Sequence, residues 1–368
     1  MTLFPPSACP RIVVKIGSAL LIAADGGVRR DWLAEIVTDI AERTRAGQQV
    51  AIVSSGAIAL GARRLGLVKG GRASLEDAQA AAAVGQIALS QIWAETLAAE
   101  GLIAAQMLVT LGDLEDRRRY LNAAATLDRL LGLGAVPVLN ENDSVATEEI
   151  RFGDNDRLAA RVAQAAGAKG VILLSDIDGL YDRNPALAGA VHIPLVERID
   201  ARIEAMADSG SASGMGSGGM ISKIAAARIA NAAGAQLAIA NGRADRPLSA
   251  DARHTIFLAE KGASARKAWL AGGLTARGTI HIDAGAVRAL AGGASLLAAG
   301  ALRVEGEFAR GDLVVLAGPG GAPVARGLSE YDHADAARIV GQRRDALAGI
   351  LGHSPRAALV HRSHMALL

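Results

Sequence analysis

The sequence is poor in the residues that build several common kinds of functional site. Of 368 residues only Cys9 is a cysteine. That leaves no intrachain disulfide and no cysteine-built zinc site, and it fits a reducing compartment, so a cytoplasmic location is expected. Aromatic residues make up 3% of the chain, too few for a stacking platform that reads single-stranded nucleic acid. The formal net charge is +2, so no bulk field draws in nucleic acid or anionic lipid. No stretch approaches the roughly 18 apolar residues of a membrane span, and none is expected. The start, MTLFPPSACPR, lacks the basic and apolar regions of a signal peptide. The histidines, at 192, 254, 281, 333, 353, 361 and 364, show no metal-type spacing and no motif pairing with serine. No metal-ligating residues are assigned.

What is present is an α/β pattern. From residue 11 to about 240, short β-branched runs alternate with amphipathic helical stretches. Strands are expected at 11–16, 50–55, 103–109, 135–140, 170–176 and 236–240, the last closing the series. Helices are expected from a cap at Asp31 to residue 46, at 75–99, at 122–131 and at 220–233. Apolar strands between helices imply a mostly parallel sheet sandwiched by helices. Ligands in such folds sit beyond the carboxyl ends of the strands. After about residue 250 the periods shorten into a small β-rich module with a final helix near 335–341. The expected division is 1–255, a connector at 256–276, and 277–368.

Five clusters lie at strand ends. Lys15 stands inside an apolar strand, before Gly17 and Ser18. It can meet a phosphate there, or snorkel to solvent. Ser54 and Ser55 open a strand-to-helix turn whose N–H groups suit an anion, although Ser55 reads equally well as a plain cap. The segment NENDSVATEEIRFGDND brings Asn140, Asp143, Asp154, Asn155 and Asp156 around one turn. Amides and N–H groups can hold a carboxylate and aspartates an ammonium, which together is what a zwitterionic amino acid requires; a solvated polar hairpin is the plainer alternative. Ser175 and Asp176 end the next strand and suit a nucleotide or a Mg²⁺-bound water, or an ordinary turn. Last, Ser217, Gly218, Gly219, Met220, Ile221, Ser222 and Lys223 form a glycine-rich entry to a helix. Its spacing is not the Walker pattern, but open N–H groups and a lysine can serve phosphates in the same way, unless the segment is a surface linker. A carboxylate acceptor needs no general base, so two lysines, a glycine-rich backbone and Mg²⁺ would suffice to phosphorylate one.

The stretches VVKIGSALL, VAIVSSGAIALG, AAVGQIALSQIW, VPVLNENDSVATEEIRFGDND, LLSDIDGLYDRNP and SGMGSGGMISK resemble the amino acid kinase family, and within it the glutamate 5-kinases. The tail resembles the PUA domain that many bacterial members carry. This resemblance implies ATP-dependent phosphorylation of the γ-carboxylate of L-glutamate to L-glutamyl 5-phosphate, the first step of proline biosynthesis. It implies ATP and Mg²⁺, feedback inhibition by proline, and a homo-oligomer. It casts Lys15, Lys223 and Asp156 as catalytic. Ser55, Asn140, Asp143, Asp154 and Asn155 fall to glutamate. ATP falls to Lys15, Ser175, Asp176 and the 217–223 loop. Ser54 and Ser175 replace the family's usual threonines, and Ile221-Ser222 stands where Ser-Thr is usual. Acetylglutamate, aspartate, carbamate and UMP are alternative acceptors in the same fold, but the NEND and GDND pair favours free glutamate. An RNA-binding protein with a vestigial kinase domain is the competing class. Residues 277–352 carry eight Lys/Arg and eight Asp/Glu, without the basic footprint of an RNA binder, so RNA binding is not expected.

Overall fold

The computed structural model describes residues 3–23, 26–145, 155–208, 219–248, 253–259 and 275–368. The chain divides into two compact units, one of 1–115 with 122–260 and the other of 116–121 with 261–368.

The strands of the first unit are β1 (Arg11–Ile16), β2 (Gln49–Ser54), β3 (Ile103–Val109), β4 (Ala135–Glu141), β5 (Gly170–Ser175), β6 (Leu180–Tyr181), β7 (His192–Ile193), β8 (Leu195–Val196), β9 (Gln236–Asn241) and β10 (His254–Phe257). Eight of them form one sheet in the order β3-β4-β2-β1-β5-β9-β10-β8, and β6 pairs with β7 apart from it. From β3 to β9 every pairing is parallel. Only β10 runs antiparallel to β9. The sequence pattern ended the sheet at residue 240; β10 and β8 extend it, and both are too short to announce themselves by periodicity.

Its helices are α1 (Ser18–Leu21), α2 (Arg30–Arg45), α3 (Ala57–Leu65), α4 (Leu75–Ala99), α5 (Leu111–Glu115), α6 (Arg117–Gly132, whose residues 117–121 count with the second unit), α7 (Asn155–Ala166), α8 (Ala201–Asp208) and α9 (Met220–Ala232). Asp31 does not cap α2. The helix starts at Arg30, so Asp31 lies in its first turn, where its charge suits the helix dipole. Helix α6 begins before residue 122 because Asp116 accepts the Arg119 N–H at 2.9 Å, and the basic run Arg117–Arg119 breaks the apolar period there. Ser74 caps α4 by accepting the Asp77 N–H.

Alternation along the strands sorts the two faces of the sheet. Ile12, Val14 and Ile16 join Val50, Ile52, Val136, Val138, Ile172 and Leu174 in a core closed by α2 and α4. Val13 and Lys15 point to the opposite face. Helices α3 and α4 are pressed together by two glycines. A Cβ at Gly61 would stand 1.7 Å from the Ala81 carbonyl oxygen, and one at Gly85 would stand 1.8 Å from that of Ala57. No other residue type allows that approach.

The second unit holds a five-stranded sheet in the order β12-β11-β13-β14-β15, formed by β11 (Gly278–Ile282), β12 (Ala301–Glu305), β13 (Leu313–Ala317), β14 (Pro323–Leu328) and β15 (Met365–Leu367). It has its own core, including Ile280, Leu290, Val314, Leu316, Ile339 and Leu359. The sequence pattern gave its β-rich character and the helix His333–Ile339, but not the helix Arg344–Leu351 or β15.

Candidate functional site

The parallel ladder aligns the carboxyl ends of five strands. Ile16 pairs with Ser54 and with Leu174, Val53 with Leu139, and Ser175 with Asn241. The strand-end clusters therefore share one edge of the sheet, and the first turn of α7 joins two of them.

On one side of that turn, Asp156 receives two lysines. Lys15 Nζ lies 2.6 Å from its Oδ1 and Lys223 Nζ lies 3.0 Å from its Oδ2. All three are buried, with exposures of 8% for Lys15, 0% for Asp156 and 5% for Lys223. Burial alone raises the Asp156 carboxyl, but the charges and hydrogen bonds of the two ammonium groups outweigh it and hold the group below its ordinary range. Burial pushes Lys223 below its ordinary value, with Asp156 opposing and Lys15 reinforcing the fall. Two lysines thus share one aspartate at the sheet edge. A Cβ at Gly17 would come 3.6 Å from Lys15 Nζ, an ordinary van der Waals contact. Lys15 is thus no strand-edge lysine reaching solvent; its charge is held inside.

On the other side of the turn lie amides and a hydroxyl. Asn155 Nδ2 donates to Ser55 Oγ at 2.6 Å and to Asn140 Oδ1 at 3.1 Å. Asn140 Nδ2 donates in turn to Gln86 Oε1 at 2.9 Å. Ser55 does not cap α3. Gly56, at φ +122°, holds the cap position without a side-chain bond, which leaves Ser55 to Asn155. Ser54 is structural, accepting the Trp93 indole N–H at 2.9 Å. A pocket of about 460 Å³ opens beside this group, lined by Gln86, Gln106, Glu141, Asn142 and Asp143 among others. Burial pushes the Asp143 carboxyl up to about 6, with Arg72 partly offsetting the rise.

The remaining expected residues fall as follows. Ser175 Oγ donates to Asp176 Oδ1 at 3.1 Å, and the charge of Asp176 reaches Lys223. Gly219 caps α9 with extended backbone. Met220, Ile221, Ser222 and Lys223 form the first turn of α9, where Lys223 turns inward and Ile221 is 57% exposed. Asp154, Ser217 and Gly218 lie outside the described residues. Gln86 and Arg72 were not singled out in the sequence. Gln86 had a signal, being the first polar side chain after the run AAAAVG in α4; exposed Arg72 had none.

The chain matches the profile of the amino acid kinase family over residues 10–241 and that of the PUA domain over 278–351. It is 78% identical to a glutamate 5-kinase from Sphingopyxis alaskensis over the full length of both chains. It is 61% identical to one from Novosphingobium aromaticivorans, across 98% of this chain and 97% of that one. A third, from Zymomonas mobilis subsp. mobilis, is 60% identical across 99% and 93%. Among the described residues no helix is long and apolar enough to cross a membrane. The chain belongs to the amino acid kinase family, in its glutamate 5-kinase group, and carries a C-terminal PUA domain.

Proposed function

We propose that the chain transfers the γ-phosphoryl group of ATP to the γ-carboxylate of L-glutamate, giving L-glutamyl 5-phosphate and ADP, the first step of proline biosynthesis. The observation that carries this reading is the first turn of α7, where adjacent residues serve an amide–hydroxyl group suited to an amino acid and a lysine pair suited to phosphates. A carboxylate oxygen forms the new bond to the γ-phosphorus. The bond to the β,γ-bridging oxygen breaks, and ADP leaves with the electron pair. The acceptor is already ionised at neutral pH, so no side chain has to move a proton.

What the protein must supply is position and positive charge between two anions. In this reading Lys15 and Lys223 supply the charge. Asp156 holds the two ammonium groups, one on each carboxylate oxygen. Ser175, Asp176 and the turn entering α9 face the nucleotide. Asp143 takes the substrate ammonium, and Ser55, Asn140 and Asn155 bind its polar groups, with Asp154 assisting.

Mg²⁺ enters this scheme with the nucleotide. Among the described residues no three His, Cys, Asp or Glu side chains gather to hold a metal, and both Asp156 oxygens are taken by lysines. These side chains do not fit a protein-held ion. Mg²⁺ is part of the substrate, bound to ATP phosphates as is usual for this cation.

We assign 1–255 to the kinase domain, with the last two residues of β10 completing its sheet, the rest of 256–276 to a connector and 277–368 to the PUA-like module, whose balanced charges favour a structural or regulatory role over RNA binding. Inhibition by proline and assembly into a homo-oligomer belong to the same proposal.

The test uses purified protein, Mg·ATP, hydroxylamine and a panel of acids, since hydroxylamine traps an acyl phosphate as a coloured hydroxamate. Colour with L-glutamate alone supports the reading. Colour only with another acid overturns the substrate. Folded protein that binds ATP and gives no colour, yet binds tRNA in a salt-sensitive way, overturns the enzyme reading.

A further inference from the structure

The amide group beside α7 has a fixed polarity, and its origin lies outside the site. Ser90 Oγ donates its single proton to the Gln86 carbonyl oxygen, one turn back in α4, at 2.8 Å. The hydroxyl can then only accept from a side chain. Gln86 therefore turns its Nε2 towards Ser90, at 3.3 Å, and its Oε1 towards Asn140. Asn140 must answer with Nδ2, which leaves its Oδ1 to accept from Asn155. Asn155 spends Nδ2 on Asn140 and on Ser55. Each amide dictates the orientation of the next.

Two groups are left over at the inner end. Asn155 is 4% exposed, and its Oδ1 has no hydrogen-bond partner among the described residues. A buried acceptor left empty is unfavourable, so it is expected to meet a donor when the site fills. Ser55 Oγ, already accepting from Asn155, retains its own proton to give. The inner end thus offers an acceptor to an ammonium and a hydroxyl donor to a carboxylate.

We propose that Gln86 is a specificity-determining positioning residue: through Asn140 it locks the Asn155 amide with Oδ1 towards the substrate ammonium, so that the site selects an amino acid over the corresponding plain dicarboxylic acid. This rests on the glutamate-kinase reading above. Gln86 touches neither the phosphoryl group nor the lysine pair in this scheme. The tight contact at Gly85 fixes its place, because α4 cannot slide along α3 without moving the Ala57 carbonyl.

The test compares Gln86→Met, which removes the acceptor at similar volume, Gln86→Lys, which replaces it with a donor, and Gln86→Glu, which keeps it. KM for L-glutamate, KM for ATP, kcat and the inhibition constant of glutarate, which lacks the ammonium, are measured for each. Loss of polarity in Gln86→Met and Gln86→Lys is expected to raise the KM for L-glutamate about tenfold or more, as for a lost hydrogen bond to a charged group. ATP KM and kcat are expected to stay within about threefold, with the glutarate constant unmoved. Gln86→Glu is expected to recover most of the loss. A milder variant, Ser90→Ala, frees Gln86 to rotate and is expected to shift the same ratio in the same direction.

The proposal is overturned if L-glutamate and glutarate weaken by the same factor, if Gln86→Glu loses as much as Gln86→Met, or if no variant changes the ratio. A wild-type protein that forms no hydroxamate with L-glutamate is a different result, and it removes the underlying reading instead.

Discussion

Replacing Asp156 by asparagine tests the electrostatic core of the site. The substitution keeps the shape and removes the carboxylate that pairs with both buried ammonium groups. Breaking one side of a buried ion pair costs about 3–5 kcal/mol. Here one anion serves two cations, but each lysine keeps a little solvent access, so the lower end, about 3 kcal/mol, is the better expectation. For a domain of this size 1 kcal/mol moves Tm by about 2–4 °C, which places the variant about 6–12 °C below wild type at neutral pH. Asp156→Asn should respond more strongly to nucleotide. Lysines relieved of their shared anion bind a polyphosphate more tightly, and a tenfold gain in affinity adds about 1.4 kcal/mol of ligand stabilisation. At equal saturating Mg·ATP the thermal shift should then exceed that of wild type by about 3–5 °C.

The pH dependence has a definite sign. The folded Asp156 carboxyl titrates below its ordinary range. Its contribution is therefore fully present above that range and disappears as pH falls through the lowered value. Wild type and variant should converge in acid and differ most near neutrality. The assay is a thermal melt with and without Mg·ATP across pH. A variant that melts within about 2 °C of wild type at pH 7, with no larger nucleotide shift, would refute the idea that Asp156 holds the lysines.

Three further outcomes are expected. Lys223→Ala should lower kcat by about 10²–10³ while leaving ATP KM within about threefold, since its charge matters most in the transition state; steady-state kinetics with equal losses in binding and turnover would remove that role. With its carboxyl pushed up to about 6, Asp143 is largely protonated at pH 5, so KM for L-glutamate should rise about tenfold between pH 7 and 5, and Asp143→Asn should flatten the profile; a profile indifferent to Asp143→Asn takes it out of the site. Gly85→Ala places a methyl 1.8 Å from the Ala57 carbonyl oxygen, and should cost more than about 4 kcal/mol, seen as insoluble protein or a collapse of Tm; a soluble variant with native Tm contradicts the α3–α4 contact.

Much of the sheet was legible because its inner strands β1, β2, β4 and β5 are buried on both faces and read as continuous apolar runs, while β3, at the partly exposed edge, was legible from its apolar composition alone. β1 and β3 match their sequence patterns residue for residue, as does α4. What escaped was short or local. β8 and β10 have two and four residues, below any usable period. Asp31 failed as a cap because a helix start depends on where the chain arrives from β1 through α1, which one residue cannot report. In the site, residue types were legible and their partnerships were not. Lys15, Asp156 and Lys223 could be picked out singly. That one aspartate bridges both lysines follows from α7 packing over β1 and against α9. The proton bookkeeping of Ser55, Gln86, Asn140 and Asn155 depends on four elements meeting, and the raised Asp143 carboxyl depends on burial.

The arrangement places two demands on one helical turn. Asn155 and Asp156 are consecutive, and consecutive residues on a helix point about 100° apart. One therefore reaches the β2–β4 side and the other the β1–α9 side. Leu158, Ala159 and Val162 behind them are fully buried, so the turn cannot tilt towards one subsite without carrying the other. A phosphoryl transfer between two anions needs this property, because attraction for each partner separately does not bring the reacting oxygen in line with the phosphorus. Splitting the two roles between residues on different loops would leave their spacing to loop motion. Adjacent positions on a buried helix fix it through the backbone.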